Sequence, residues 1–344
     1  MRIITIITNV KIILFYLFTL IFYQSFCRAE INEVNIYSAR QEILMRELIE
    51  SFEKKENIKV NIIFSKANQL IKKLEMEGEY TNADILLTVD VARLIKAKNN
   101  GLFKRIDSDI LLKTIPSIYR DKDNQWFGMS LRARIFVYHE DRVSRKELKG
   151  YLGLMNSNWN SRLLVRSSNN VYNQSLISAM IHNYGKKQTK DFLINFKKNF
   201  ARNPSGGDRD QIRGVVSGEG DLAIVNSYYF IKMKKDDKKD YLKKIKFYFP
   251  NDDEMKTHIN ISGAGVVKYS KNTANAVKFL EYLISYEAQK IYAEKNFEYP
   301  IRNNVKVNDL LKDYTITTKD DLNLNLIADT NKEALIMMGE AGWQ

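Results

Sequence analysis

Three tyrosines of the 344-residue chain stand where phenol chemistry is easiest to build. Tyr228 and Tyr229 are adjacent in Asn226-Ser227-Tyr228-Tyr229, directly after the apolar run Leu222-Ala223-Ile224-Val225. Tyr172 follows Arg166-Ser167-Ser168-Asn169-Asn170-Val171. Asn and Ser are favoured where helices begin, so both segments read as turns into a helix, with the tyrosines in or near its first turn. A phenol ordinarily titrates near pH ~10. A bound cation of high charge drives its deprotonation, and a helix N-terminus favours the anion by about 0.3–1 kcal/mol. Several phenolates together suit a hard trivalent cation such as Fe(III) over softer or divalent metals. The same helix ends can hold a small anion in the remaining coordination positions. The residue pattern alone leaves a plainer alternative open, because in a chain with 19 tyrosines an adjacent pair is often one buried ring and one exposed ring.

A third turn, Tyr37-Ser38-Ala39-Arg40-Gln41-Glu42, follows the first strand expected in the chain and offers a guanidinium and a carboxylate. Other reactive-looking residues carry no pattern. His139, His182 and His258 are isolated, with no HExxH spacing,. Gly206-Gly207-Asp208 reads as a loop turn, since no Gly-Lys-Ser/Thr follows to make a phosphate loop,. There is no GxSxG nucleophile motif and no outstanding carboxylate pair for acid–base work, so the chain is not expected to be an enzyme.

The elements that must position these turns alternate. Strands are expected at Val34–Tyr37, Ile58–Phe64 and Ala83–Thr88, with helices at Gln41 to about Lys55, Asn68 to about Glu77 and Asp90–Ala97. In the first helix Ile43, Leu44, Leu48, Ile49 and Phe52 recur at the spacing of one buried face. This alternation indicates βαβ units on a mixed, mostly parallel sheet with helices on both faces. Near Trp126 the pattern changes: Phe127–Ser130 and Arg134–Tyr138 read as two consecutive strands crossing between lobes. Alternation then resumes with strands at Leu163–Val165 and Leu222–Val225, helices at Asn173–His182 and from Tyr228, and a returning strand at Gly265–Val267 after Ile259–Ala264. A packed C-terminal helix is expected at Ala334–Met338. Two α/β lobes joined by crossovers leave a cleft at strand ends and helix N-termini, where ligands of such folds bind.

The first 29 residues differ in kind. Arg2 and Lys11 precede a largely apolar run, Ile12–Tyr23, and Cys27-Arg28-Ala29 supplies a small residue for cleavage, the layout of a secretory signal peptide,. The run is shorter than the ~20 residues of a comfortable membrane span. Cleavage at Ala29 removes the single cysteine, and with it any thiolate metal site or disulfide,. The net charge of +13 includes three positive charges in this leader. The remaining lysines are scattered or mixed with acids, as in Lys234-Lys235-Asp236-Asp237-Lys238-Lys239, and read as solvated surface rather than a nucleic-acid footprint,.

Beyond the leader the chain is similar over nearly its whole length to the ferric-ion-binding proteins of bacterial iron ABC importers. These are type II periplasmic binding proteins with transferrin-like lobes. The resemblance is carried by Val34-Asn35-Ile36-Tyr37-Ser38-Ala39-Arg40-Gln41, by Asn170-Val171-Tyr172-Asn173, by Gly220-Asp221-Leu222-Ala223-Ile224-Val225-Asn226-Ser227-Tyr228-Tyr229, and by the closing Gly342-Trp343. It implies two lobes, residues 30–128 with 261–308 and residues 129–260 with 309–344, closing on a cleft by hinge motion near Met129 and Ile261. It implies that Tyr228, Tyr229 and Tyr172 bind Fe(III). Where relatives often carry His-Tyr in the first lobe this chain has Gln41-Glu42. Three alternatives follow: Glu42 supplies an oxygen, an exogenous anion such as carbonate held by Arg40 and the helix end fills the shell, or the first lobe gives no direct ligand; the anion is preferred. Arg132 matches an arginine near the metal in related proteins and, with Arg40 and Gln41, is assigned to the anion or the surroundings of the metal; Arg134 is the lesser candidate. The resemblance further implies an extracytoplasmic monomer that hands iron to the membrane permease of an ABC importer, with no nucleic-acid partner. The competing readings are a binder of a small anion without iron, and an α/β hydrolase.

Overall fold

The first strand among the described residues is β1 (Glu33–Ser38), in which Val34 and Ile36 are buried and which lies between β2 and β3. The computed structural model describes residues 32–307 and 309–344, so the expected leader lies outside the described residues. From Val34 to Gln344 they form one compact unit. A 3₁₀ turn (Glu42–Leu44) leads into α1 (Arg46–Glu56), followed by β2 (Lys59–Phe64), α2 (Ala67–Glu77), β3 (Ile85–Thr88), α3 (Val91–Asn99) and α4 (Asp109–Thr114). The expected helix thus starts later than its hydrophobic spacing indicates. Ile43 is 57% exposed rather than part of the buried face, because residues 42–44 are wound as 3₁₀ and rotate it outward,. Leu48 and Phe52 carry the buried face. Phe52 lies edge-on to Phe279 with ring centroids 4.9 Å apart, and burial of such a ring contributes roughly 1.5–3 kcal/mol,.

The chain then crosses in a single strand, β4 (Phe127–His139), where two were expected. All but its last residue is buried, so the polar Ser130, Arg132 and Arg134 interrupt the apolar run without interrupting the strand. Next come β5 (Leu163–Leu164), α5 (Val171–Lys198), α6 (Asp208–Ser217), β6 (Leu222–Asn226), α7 (Ser227–Asp236), β7 (Ile245–Tyr248) and β8 (Ile259–Val266). The chain finishes with α8 (Thr273–Leu283), α9 (Tyr286–Glu294), β9 (Tyr299–Pro300) and α10 (Ile327–Glu340). The returning strand expected at Gly265–Val267 begins earlier, at Ile259, and ends at Val266 as β8. Helix α5 runs well past His182 and is kinked at Gly185, whose φ of 79° only glycine adopts without strain,. His182 closes no helix; its ring meets the Leu326 carbonyl at 2.9 Å.

Among the described residues the sheet order is β2-β1-β3-β8-β4-β6-β5, with β7 and β9 also pairing β4. β1 and β3 pair in parallel, as do β5 and β6, as βαβ alternation requires. The pairings of β4 and of β8 are antiparallel. The first half of β4 pairs β8 and its second half pairs β6 and β7, so one strand serves both halves of the sheet. Close approach is needed where they meet: a Cβ on Gly263 would lie 2.7 Å from the Phe127 carbonyl oxygen.

Candidate functional site

Tyr172 is the second residue of α5, and Tyr228 and Tyr229 are the second and third of α7. Both placements follow from local chemistry. Asn170 caps α5, its side-chain oxygen accepting from the amides of Tyr172 and Asn173,. Asn226 stands at the N-cap position of α7 but makes no side-chain cap there. Its oxygen accepts instead from Arg134 Nη1 at 3.3 Å, across the β4–β6 ladder that pairs the two residues. The helix is started by the strand end rather than by its capping side chain.

All three tyrosines are buried. The rings of Tyr228 and Tyr229 lie 4.1 Å apart, inclined by 32°. Burial, then the neighbouring Tyr172 and Tyr229, hold the Tyr228 phenol well above its ordinary value, against the pull of Arg132,. The Tyr229 phenol is pushed up to about 12 by burial, then by Tyr172 and Asp208, with a hydrogen bond from Tyr228 and the charge of Arg166 opposing. The three phenols therefore lie close enough for the charge of one to be felt at the others, and two of the rings touch.

Around them stand four guanidinium groups. Arg132, Arg134 and Arg166 lie 5.4, 6.0 and 6.0 Å from the centre of the Tyr172 ring, and Arg209 lies 5.1 Å from that of Tyr229. Asp208, the first residue of α6 and buried, holds two of them: Arg134 Nη1 at 2.8 Å and Arg166 Nη1 at 3.1 Å. Arg134 Nη2 also donates to Asn173 Oδ1 at 2.7 Å, and Trp343 Nε1 donates to the Arg166 carbonyl at 2.8 Å. Arg132 is held differently. Its Nη2 donates to the Val89 carbonyl, and its buried Nε has no partner. The buried Nε atoms of Arg40, Arg134 and Arg166 are unpartnered too, but those guanidinium groups are paired with Glu298 or Asp208, and the carbonyl on Arg132 leaves it the group most ready to receive an anion,.

The first turn behaves otherwise. Arg40 is buried, with its two terminal nitrogens on Glu298, Nη2 to Oε1 at 2.6 Å and Nη1 to Oε2 at 3.1 Å, and Nη1 also on Ser262. Burial works against its charge, but Glu298, Tyr292 and Tyr228 more than offset it and hold the guanidinium above its ordinary value. Glu298 is correspondingly held low by Arg40 and Arg132 despite its burial. Gln41 is exposed, and Glu42 is exposed and 3.8 Å from Arg46. Asp208, Glu298, Asn173 and Tyr292 escape sequence reasoning. For Asp208 the available signal was an acidic residue at a helix start; Glu298, a lone carboxylate, carried none. Among the described residues no group of three or more His, Cys, Asp or Glu is placed to hold a metal ion.

The profile of the bacterial extracellular solute-binding proteins matches residues 81–321. The chain belongs to that family. The binding protein is 38% identical over 318 residues to "Iron uptake protein A1" of Synechocystis sp., covering 92% of this chain and 88% of the relative. It is 28% identical over 313 residues to "Fe(3+)-binding periplasmic protein" of Serratia marcescens, covering 89% of each. The solved Trichodesmium protein "in complex with iron and citrate ligands" superposes on the binding protein with a TM-score of 0.85 at 39% identity, over 91% of this chain and 100% of that one. The two-lobe type II periplasmic binding fold read from the sequence is the fold of these relatives.

Proposed function

We propose that this binding protein captures ferric iron outside the cytoplasm and passes it to the membrane permease of an ABC importer. The observation that carries the reading is the convergence of Tyr172, Tyr228 and Tyr229, buried together at two helix starts and surrounded by guanidinium groups. Three phenolates replace the water around a hard trivalent cation, and the ion's own charge removes their protons. An anion such as carbonate or a small carboxylate fills the remaining positions and rests on Arg132, whose Nε is free for it. Arg40 acts at a distance, its charge reaching Tyr228 while Glu298 occupies its fork. Gln41 and Glu42 are exposed, and the anion takes the place that Glu42 would fill.

The lobes are residues 30–128 with 261–308 and residues 129–260 with 309–344, and they close on the ion by rotation near Met129 and Ile261. Residues 1–29 direct export and are removed, and the mature protein works as a monomer. The names of its relatives, an iron uptake protein and a periplasmic ferric-binding protein, support this reading. The test is a visible spectrum. Adding ferric nitrilotriacetate and bicarbonate to the purified mature protein should produce a tyrosinate-to-iron charge-transfer band. A colourless protein at stoichiometric iron would instead leave a binder of small anions.

A further inference from the structure

The cross-strand neighbours Arg132 on β4 and Asn260 on β8 grip the same short turn, Val89-Asp90-Val91, which joins β3 to α3. Arg132 takes the Val89 carbonyl. Asn260 takes more. Its Nδ2 donates to Asp90 Oδ2 at 2.6 Å and to Ser175 Oγ at 2.9 Å, and its Oδ1 accepts from Val91 N at 3.3 Å and from Ile261 N at 2.7 Å. A carboxamide has two donor and two acceptor positions of this kind, and all four are used. Asp90 is itself the cap of α3, accepting from Ala92 N at 3.0 Å. Ser175 lies one helical turn beyond Tyr172 on α5 and meets His258 Nε2 at 3.0 Å. Asp90, Ser175, His258 and Asn260 are all buried. A second buried contact runs in parallel, Arg93 Nη2 to Gln174 Oε1 at 2.8 Å.

We infer that Asn260 is a positioning residue that ties the first turn of α5, and with it Tyr172, to the start of α3. The inference rests on the ferric reading, since Tyr172 matters only as a ligand. In a packed interior a polar group with every partner satisfied specifies one arrangement, because any slippage leaves buried donors or acceptors unmet. The strands alone do not provide this: β8 reaches β3 and β4 through backbone bonds but reaches α5 through side chains. Asn260 and its neighbour His258 are the residues of this stretch that do so. Tyr172 is thereby set against Arg132, which is fixed to the same turn, so ligand and anion-facing group share a common reference.

The experiment uses the mature protein loaded from ferric nitrilotriacetate in bicarbonate, with iron release to EDTA followed through the charge-transfer band. Asn260→Ala should speed release about tenfold and shift the band maximum, because a ligand allowed to wander by a fraction of an ångström loses much of its advantage. The double variant Asp90→Asn/Asn260→Asp exchanges donor and acceptor across the same contact while keeping the cap of α3. It should restore release to within about twofold of wild type. An Asn260→Ala protein that melts lower without iron but keeps the wild-type band and release rate would overturn the inference, as would a double variant that releases iron as fast as the alanine form. A wild-type protein with no band at all would refute the ferric reading and this inference together.

Discussion

Two arginines face the same region and are held in opposite ways. Arg40 is closed by a carboxylate, its terminal nitrogens on Glu298. Arg132 is fixed through one terminal nitrogen by a backbone carbonyl and has no carboxylate on its fork among the described residues, while the buried Nε of both arginines is unpartnered. A guanidinium already neutralised has little left for an incoming anion, whereas one held by a neutral carbonyl keeps its whole charge. The proximity of an arginine to a site therefore says less than what already occupies it.

The largest expected effect tests the tyrosine side. Tyr228→Phe or Tyr229→Phe should lower ferric affinity by more than about a hundredfold, since even partners outside the coordination shell cost 10–100-fold. Apo stability should move by less than about 1 kcal/mol, because the ring and its packing remain. Chelator competition and thermal melts check both; wild-type affinity in both variants would remove the phenolate site.

The contrast between the arginines comes next. Arg132→Ala should weaken iron binding by tens of fold, about 10–100, and abolish its dependence on bicarbonate, with a small change in melting. Arg40→Ala should do the reverse, destabilising the apo fold by about 3–5 kcal/mol because Glu298 loses its ion-pair partner in the interior,. Equal losses of bicarbonate dependence in both variants would break the comparison.

Proton release sharpens it further. The phenols of Tyr228 and Tyr229 are held above their ordinary value, so the folded apo protein keeps their protons throughout neutral pH and must release them when iron binds. Affinity should rise with pH between about 6 and 8, and calorimetry in buffers of different ionisation enthalpy should count up to about three protons per ion, one for each phenol. Arg40 and Glu298 keep their charges across this range and add none. The smallest effect belongs to Glu42→Gln, which should leave affinity within about twofold, as expected of an exposed side chain. A loss matching that of the tyrosine variants would place a carboxylate of the first turn in the shell.

The tyrosines were legible because they are adjacent, follow an apolar strand and start a helix, three local signals that agree. Alternation of strands and helices exposed the α/β plan for the same reason. What escaped was not local. Glu298 is 258 positions from its partner Arg40, in a segment with no periodicity. Asp208 stands behind two glycines and reads as a turn, while its role depends on Arg134 and Arg166 arriving from other elements. β4 looked like two strands because alternation assumes one wet face, and this strand is buried on both,. Ile43 misled because hydrophobic spacing cannot distinguish a 3₁₀ start from an α-helical one.

The uninterrupted run of β4 has a mechanical consequence. At its centre Arg134 N donates to the His258 carbonyl at 2.9 Å, joining the ladder with β8 to the ladders with β6 and β7. Under the proposed rotation of the two lobes, this continuous ladder would take up the angle as added twist spread over several residues, with no bond in the ladder broken. A joint of that kind behaves as a leaf spring and not as a loose pin: its restoring torque grows smoothly with angle and returns the molecule to one rest position. Amides at residues 131–135 should accordingly exchange slowly with solvent however wide the molecule stands, and a protease should find no cleavable segment there at any point in the swing.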